Sequence, residues 1–256
     1  MSETYINDIR LDWLEFTYGA NSQDVGLFQS FLADFPYIDS ILESRCVEAN
    51  CDKGAYFLEH ARNGYKNALI LTDGCSVMWS YGSPRMGVHV TIPSHGLAAL
   101  LPQLCCGLSS VCDCIAFLLD NSCKITRLDV CFDDKNRRFQ PFQFNDWMRN
   151  EQIRTRCRRW AYMESQTGAT FTIGSRESGR FVRVYDKDGE QKVPEKTYGI
   201  RYEVELRSNY AHALAENLTA DCKYTFGSLI DTIFTVVEPF DIEQKDVSAA
   251  RSHAAV

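Results

Sequence analysis

Apolar and polar side chains alternate at the start of the chain. Ile9, Leu11 and Trp13 interleave with Arg10, Asp12 and Leu14, and Phe16 and Tyr18 follow, which predicts a strand. Between Val25 and Leu42 the period changes: Leu27, Phe28, Phe31 and Leu32 recur at three and four, which predicts a helix. Ala68–Leu71, Val77–Tyr81 and Val88–Ile92 read as strands separated by Asp73-Gly74 and Gly82-Ser83-Pro84. Those breaks are turn chemistry, so an antiparallel meander is expected. Ser94 reads as a helix N-cap before an apolar segment running toward Leu119. In the second half, Ile125–Phe132, Trp160–Met163, Thr170–Gly174, Phe181–Lys187 and Gly199–Arg207 read as strands. Phe144–Ile153, Tyr210–Leu218 and Gly227–Val237 read as helices, and the polar, alanine-rich tail from Asp241 is expected to fray.

This pattern predicts an α+β protein, mainly antiparallel β-sheets with helices packed on one face. Two units are expected, an N-terminal α+β unit over 1–120 and a catalytic α+β unit over 121–240, with a disordered tail over 241–256. The tripeptide Arg-Leu-Asp opens a strand in each half, at Arg10-Leu11-Asp12 and Arg127-Leu128-Asp129. Three matching residues hint that the two units are related, and no more than that.

Composition narrows the chemistry. With 256 residues and 45% hydrophobic content the chain can bury a sizeable core. It has no apolar run of about 18 residues, and MSETYINDIR lacks a basic region followed by an apolar stretch. A cytoplasmic protein with no membrane segment is the expectation. Eleven cysteines, an odd number, argue against a closed disulfide framework. No CxxC occurs to open a zinc site, so free or buried thiols in a reducing compartment are the simpler reading. The net charge of −7 is unevenly spread: residues 135–160 hold eight basic side chains against two acidic ones. Arg154, Arg156, Arg158 and Arg159 lie there, interleaved toward Trp160 and Tyr162. Such a stripe suits phosphate contacts and stacking on single-stranded DNA, although a solvated charged face has the same composition.

Strand alternation gathers the reactive groups. In Ile125–Asp133, Arg127, Asp129, Cys131 and Asp133 share one side; in Arg201–Arg207, Arg201, Glu203, Glu205 and Arg207 do; in Val182–Lys187, Arg183, Tyr185 and Lys187 do. Assembled in one sheet, those faces have the parts for phosphodiester transfer. Carboxylates can hold Mg²⁺ or Mn²⁺, a tyrosine hydroxyl can attack phosphorus, and Arg183, Lys187 or Arg201 can steady the phosphoryl oxygens. On pattern alone, an ordinary sheet whose wet face carries cross-strand ion pairs is the stronger reading.

Resemblance shifts that balance. Thr170-Phe-Thr-Ile-Gly-Ser-Arg-Glu-Ser178, followed by Arg180-Phe-Val-Arg-Val-Tyr-Asp-Lys187, resembles the signature of the replication initiation factor family. That family comprises rolling-circle plasmid and filamentous-phage initiators and related relaxases of integrative elements. Ile125–Asp133 upstream and Ile200–Arg207 downstream are similar to its flanking strands, and Leu11-Asp12-Trp13-Leu14 resembles its N-terminal start. The likeness spans roughly 8–238 and is specific over 125–207. It implies metal-dependent nicking and joining of DNA through a 5′-phosphotyrosine at Tyr185, with Arg183 and Lys187 beside it. Carboxylate metal ligands follow from the strand faces, Asp129 and Glu203 first, Glu205 and Asp133 in reserve, for Mg²⁺ or Mn²⁺. Expected DNA contacts are Arg154, Arg156, Arg158, Arg159, Ser175, Arg176 and Arg180. The implied partner is a replication origin, single-stranded or supercoiled, with room for a homodimer and a host helicase.

Alternatives remain beside this reading. Tyr162 is a weaker nucleophile because no matching carboxylate block surrounds it, and Tyr202 falls on the apolar side. The five histidines are scattered with no His-apolar-His triplet, so a two-histidine nuclease site is not expected. A tyrosine recombinase would need its tyrosine on a helix. A relaxase for a mobile element, or a catalytically silent DNA-binding regulator of the same fold, would share this sequence pattern.

Overall fold

The computed structural model describes residues 5–6, 9–43, 56–58, 61–71, 74–81, 83–108, 110–166, 168–220 and 226–236. Two compact units emerge. The first is built on Leu11–Leu128 and Ala211–Ala220; the second is built on Asp129–Tyr210, with Arg10 and the 226–236 segment. The tail expected to fray lies outside the described residues. Among the described residues no helix is long and apolar enough to cross a membrane.

Short strand β1 (Tyr5–Ile6) precedes β2 (Ile9–Tyr18). Helices α1 (Leu27–Asp34) and α2 (Pro36–Glu43) follow, then strands β3 (Tyr56–Leu58), β4 (Asn67–Ile70), β5 (Ser76–Trp79) and β6 (Val88–Pro93). Helices α3 (Ser94–Leu104) and α4 (Val111–Asp120) complete the local run. The strand order is β3-β4-β5-β6-β2, antiparallel throughout. Phe16 and Tyr18 of β2 pack on Phe35, and Phe28 stacks on Trp79 at 4.2 Å, which seats α1 on the sheet.

The helix expected over 25–42 is two helices, because Pro36 has no N–H to continue the first and is pre-set for the first position of the second. The apolar segment after Ser94 is also split, with Cys106 (φ 55°) and Gly107 (φ 84°) turning the chain out of the helix. Pro93, not Ser94, is the N-cap of α3; the Ser94 hydroxyl instead donates to Asp12 Oδ1 at 3.2 Å.

The chain enters the second unit at Asp129, within β7 (Cys123–Asp134), and runs on through α5 (Pro141–Arg149), β8 (Ile153–Thr155), β9 (Trp160–Ser165), β10 (Gly168–Ser175), β11 (Arg180–Asp186), α6 (Lys187–Gln191) and β12 (Ile200–Arg207). Next in the chain is α7 (Asn209–Ala220), which from Ala211 onward belongs to the first unit; α8 (Phe226–Ile233) and β13 (Phe234–Val236) belong to the second. Its strand order, β9-β10-β11-β12-β7, repeats that of the first unit position for position: a four-strand meander whose last strand pairs with the strand that opened the unit. Phe144 on α5 packs against Phe171, Tyr202 and Phe234, sealing one face of this sheet. The helix expected over 227–237 ends at Ile233, and its last residues form β13, which pairs with β8; Ile153 belongs to that pair and not to α5.

Candidate active site

Register decides which side chains meet. Across β11 and β12, Arg183 stands opposite Glu203 and Tyr185 opposite Arg201. β10 extends both rows, with Thr172 opposite Arg183 and Thr170 opposite Tyr185, and β9 ends them with Ala161 and Met163. Directly opposed residues share a face, so two rows cross the sheet: Met163–Thr170–Tyr185–Arg201 and Ala161–Thr172–Arg183–Glu203. The alternate residues Phe171, Val182, Val184 and Val204 are buried on the helix-covered side. The chemistry therefore has a face of its own, extended toward β9 by Thr170, Thr172, Ala161 and Met163.

Tyr185 is 7% exposed, and its hydroxyl donates to Glu203 Oε2 at 3.0 Å. The other Glu203 oxygen accepts from Arg183 Nη2. Burial pushes the Tyr185 phenol well above its usual range; the Glu203 charge adds to this, while Arg201 and Arg183 pull the other way. Burial opposes the Arg183 cation too, but Glu203, and Asp129 after it, keep it firmly charged. The Arg183 Nε–H is buried without a hydrogen bond among the described residues, a donor still to be satisfied.

The four nominated carboxylates have distinct settings. Asp129 and Glu203 are each 2% exposed and both act on Arg183. Asp133 accepts a two-pronged bond from Arg201, at 2.6 and 2.7 Å, with Arg10 3.6 Å away. Glu205 accepts from Arg176 at 2.9 Å and Arg207 at 2.7 Å. Those bidentate and paired contacts already match the charge of Asp133 and Glu205. Among the described residues no three His, Cys, Asp or Glu side chains form a cage for a metal ion. Two buried carboxylates that act on one guanidinium are nonetheless a donor set that a hard divalent ion accepts, since Mg²⁺ keeps waters and takes one or two carboxylates plus phosphate oxygens.

Lys187 departs from the expected strand: it opens α6, and its Nζ donates to Glu190 at 2.5 Å while lying 5.6 Å from the Tyr185 ring centroid. The arginine run is solvent-facing: Arg154, Arg156, Arg158 and Arg159 are all exposed, Arg159 within 3.6 Å of Glu177. Trp160 is 38% exposed and Met163 58%, so β9 presents aromatic and thioether surface beside those charges. Ser175 caps the turn over Arg176–Ser178, Arg176 lies over Phe181, and Arg180 lies over Tyr210. Tyr162, paired with Phe171, falls on the opposite face from the Tyr185 row and contacts Glu164.

One cluster escaped sequence reasoning. Arg137, just past β7, forks onto Asp186 at 2.5 and 3.2 Å and reaches Asp188 at 3.2 Å. Asp188 is 3% exposed and also accepts the backbone N–H groups of Lys196, Tyr198 and Gly199. Gly199 is needed there: at φ +80°, a Cβ would lie 2.0 Å from the Asp134 carbonyl oxygen. Partners 49 and 51 residues apart leave no local signal to read.

Three comparisons bear on this geometry. Among curated proteins no sequence matches significantly. A solved rolling circle replication initiator protein from Geobacillus stearothermophilus is similar in fold, with a TM-score of 0.70 and 18% identity, over 97% of this chain and 96% of that one. The family model described as replication initiation factor matches residues 123–254, just over half of the chain and all of the strands that carry the Tyr185 face. The chain therefore belongs to the replication initiation factor family.

Proposed function

We propose that this chain initiates rolling-circle replication by nicking and rejoining one DNA strand, with Tyr185 as the nucleophile. The observation that carries the proposal is the Tyr185–Glu203–Arg183 contact on a face whose opposite side is sealed by apolar packing. The Tyr185 oxygen attacks phosphorus in line as the bond to the 3′ oxygen breaks. The phenolic proton leaves along the hydrogen bond to Glu203, the 3′ oxygen gains a proton to become a free hydroxyl, and the 5′ phosphate remains on Tyr185. Because the phosphodiester is exchanged and not hydrolysed, the reverse attack by a 3′ hydroxyl closes the strand. The unsatisfied Nε–H of Arg183 points to a role on the non-bridging oxygens.

Asp129 and Glu203 would hold Mg²⁺ or Mn²⁺, which when bound polarises the phosphate and offsets its developing charge. Arg154, Arg156, Arg158 and Arg159 would track the backbone, with Trp160 as a stacking surface. Ser175, Arg176 and Arg180 would add contacts at the β10–β11 turn.

Supercoiled DNA carrying the gene for this chain and its flanks is the substrate to try, in a cytoplasm-like buffer with Mg²⁺ or Mn²⁺. Conversion to open circles with a covalent protein–DNA adduct supports the reading. Binding without nick or adduct would instead identify a silent regulator of the same fold.

A further inference from the structure

We infer that Arg137 is a positioning residue for the Tyr185 nucleophile, acting through Asp186 and Asp188. This inference rests on the proposed role of Tyr185. Asp186 is the next residue along the chain from Tyr185, and it ends β11. The Asp186 carboxylate accepts the Gly189 N–H at 3.1 Å, starting α6, and takes both prongs of the Arg137 guanidinium. Asp188, buried two residues further on, gathers three backbone N–H groups from the segment that leads into β12. Arg137 itself lies three residues past the end of β7, the strand that carries Asp129 and Asp133.

One guanidinium therefore fastens the ends of three strands: β7 with its carboxylates, β11 with the tyrosine, and β12 with Glu203. Backbone pairing fixes β11 against β12. The Arg137 fork adds a side-chain tie from the β7 end directly to the residue after the nucleophile. A planar fork that engages two carboxylates sets direction as well as distance, which a lysine ammonium does not. In-line attack is sensitive to this, since a displacement of about 1 Å at the reacting atoms can cost on the order of 100-fold in rate.

The test uses the full chain and a labelled oligonucleotide spanning the nick site mapped on supercoiled DNA. Arg137→Ala removes the fork. Asp186→Asn removes its main charge partner while an Asn still caps α6. Each is expected to lower kcat about 10- to 100-fold with KM and DNA affinity within about twofold of wild type. The double variant is expected to be no slower than Arg137→Ala, because both changes undo one device. Arg137→Lys should recover little. Thermal melts identify a variant that has lost its fold, in which case Asp186→Asn alone decides. Unchanged kcat in Asp186→Asn overturns the inference, as does a loss confined to DNA affinity, which would make Arg137 a phosphate contact. Multiplying single effects in the double variant would overturn it too. Wild-type nicking that survives Tyr185→Phe would sink the Tyr185 reading itself, a result separate from these.

Discussion

Tyr185 reaches Glu203 diagonally: its hydroxyl is 3.0 Å from Glu203 Oε2, while Arg183 holds the place directly across the strand pair. The phenol and the guanidinium thus share one carboxylate, one on each oxygen. Tyr185→Phe keeps the ring packing and deletes the attacking atom. It should bind DNA as the wild type does, lose nicking by about three orders of magnitude or more, and form no adduct. Mapping the adduct by mass spectrometry to another tyrosine, Tyr162 included, would refute the assignment.

Metal dependence gives a second, separable outcome. Asp129→Asn and Glu203→Gln keep volume and remove charge at two buried sites that act on Arg183. Nicking should fall by orders of magnitude in both, Glu203→Gln should also lose several degrees in Tm because it strips Arg183 of its buried partner, and Mn²⁺ should restore more activity to Asp129→Asn than Mg²⁺ does. Full nicking by the wild type in excess chelator would show that these carboxylates hold no metal needed for the reaction.

The sheet was legible in the chain because period-two alternation is local: β2, β7, β10, β11 and β12 all lie where alternation places them. For the same reason the face shared by Arg183, Tyr185, Glu203 and Arg201 could be read in advance. Breaks were harder. Pro36 and Gly107 end helices that periodicity alone would carry onward, and β8 with β13 depends on a pairing about 80 residues apart. The kinship of the two units shows in their strand order, whereas the Arg-Leu-Asp match misleads. Asp12 has the parity of Phe16 and Tyr18, on the helix-covered side, while Asp129 lies on the polar side with Arg183 in reach. In the first unit the strand matching β11 is β5, Ser76–Trp79, which has no tyrosine. Long-range ion pairs such as Arg137–Asp186 have no sequence signature.

Stability should respond to acid through Asp188. Burial alone would raise its carboxyl, but the N–H groups of Tyr198, Gly199 and Lys196, with Arg137, hold it below the usual value. A depressed folded-state value stabilises the fold above the unfolded value of about 3.9, and the gain is lost as pH falls through the folded one. Asp188→Asn turns an amide N–H toward backbone N–H groups, so it should cost about 2–3 kcal/mol at pH 7, several degrees in Tm. The difference between wild type and variant should shrink as pH falls below about 4, where the unfolded chain's carboxyl takes up a proton first, and should be lost only once folded Asp188 is protonated as well. A gap that stays constant from pH 7 to 3 would argue against this carboxylate as the cause.

A chain of net charge −7 must hold DNA through locally concentrated positive charge. Arg156 and Arg158 are exposed, stand beside the exposed Trp160, and lie just ahead of β9, whose Met163 closes the Tyr185 row. Contacts to phosphate release counterions, so affinity should fall steeply as salt rises, with a slope set by the number of contacts. Replacing both arginines with alanine should weaken binding to unrelated sequences alike and flatten the slope by about one unit per lost contact. Single-turnover nicking of saturated complexes should stay near the wild-type rate, because these residues hold the strand and do not attack it. Neither side chain is buried, so the fold should tolerate the change and the binding curves can be compared directly. Unchanged affinity and slope in the double variant would mark the run as a solvated face and move the DNA contact elsewhere, with Arg176 and Arg180 at the β10–β11 turn the next pair to replace.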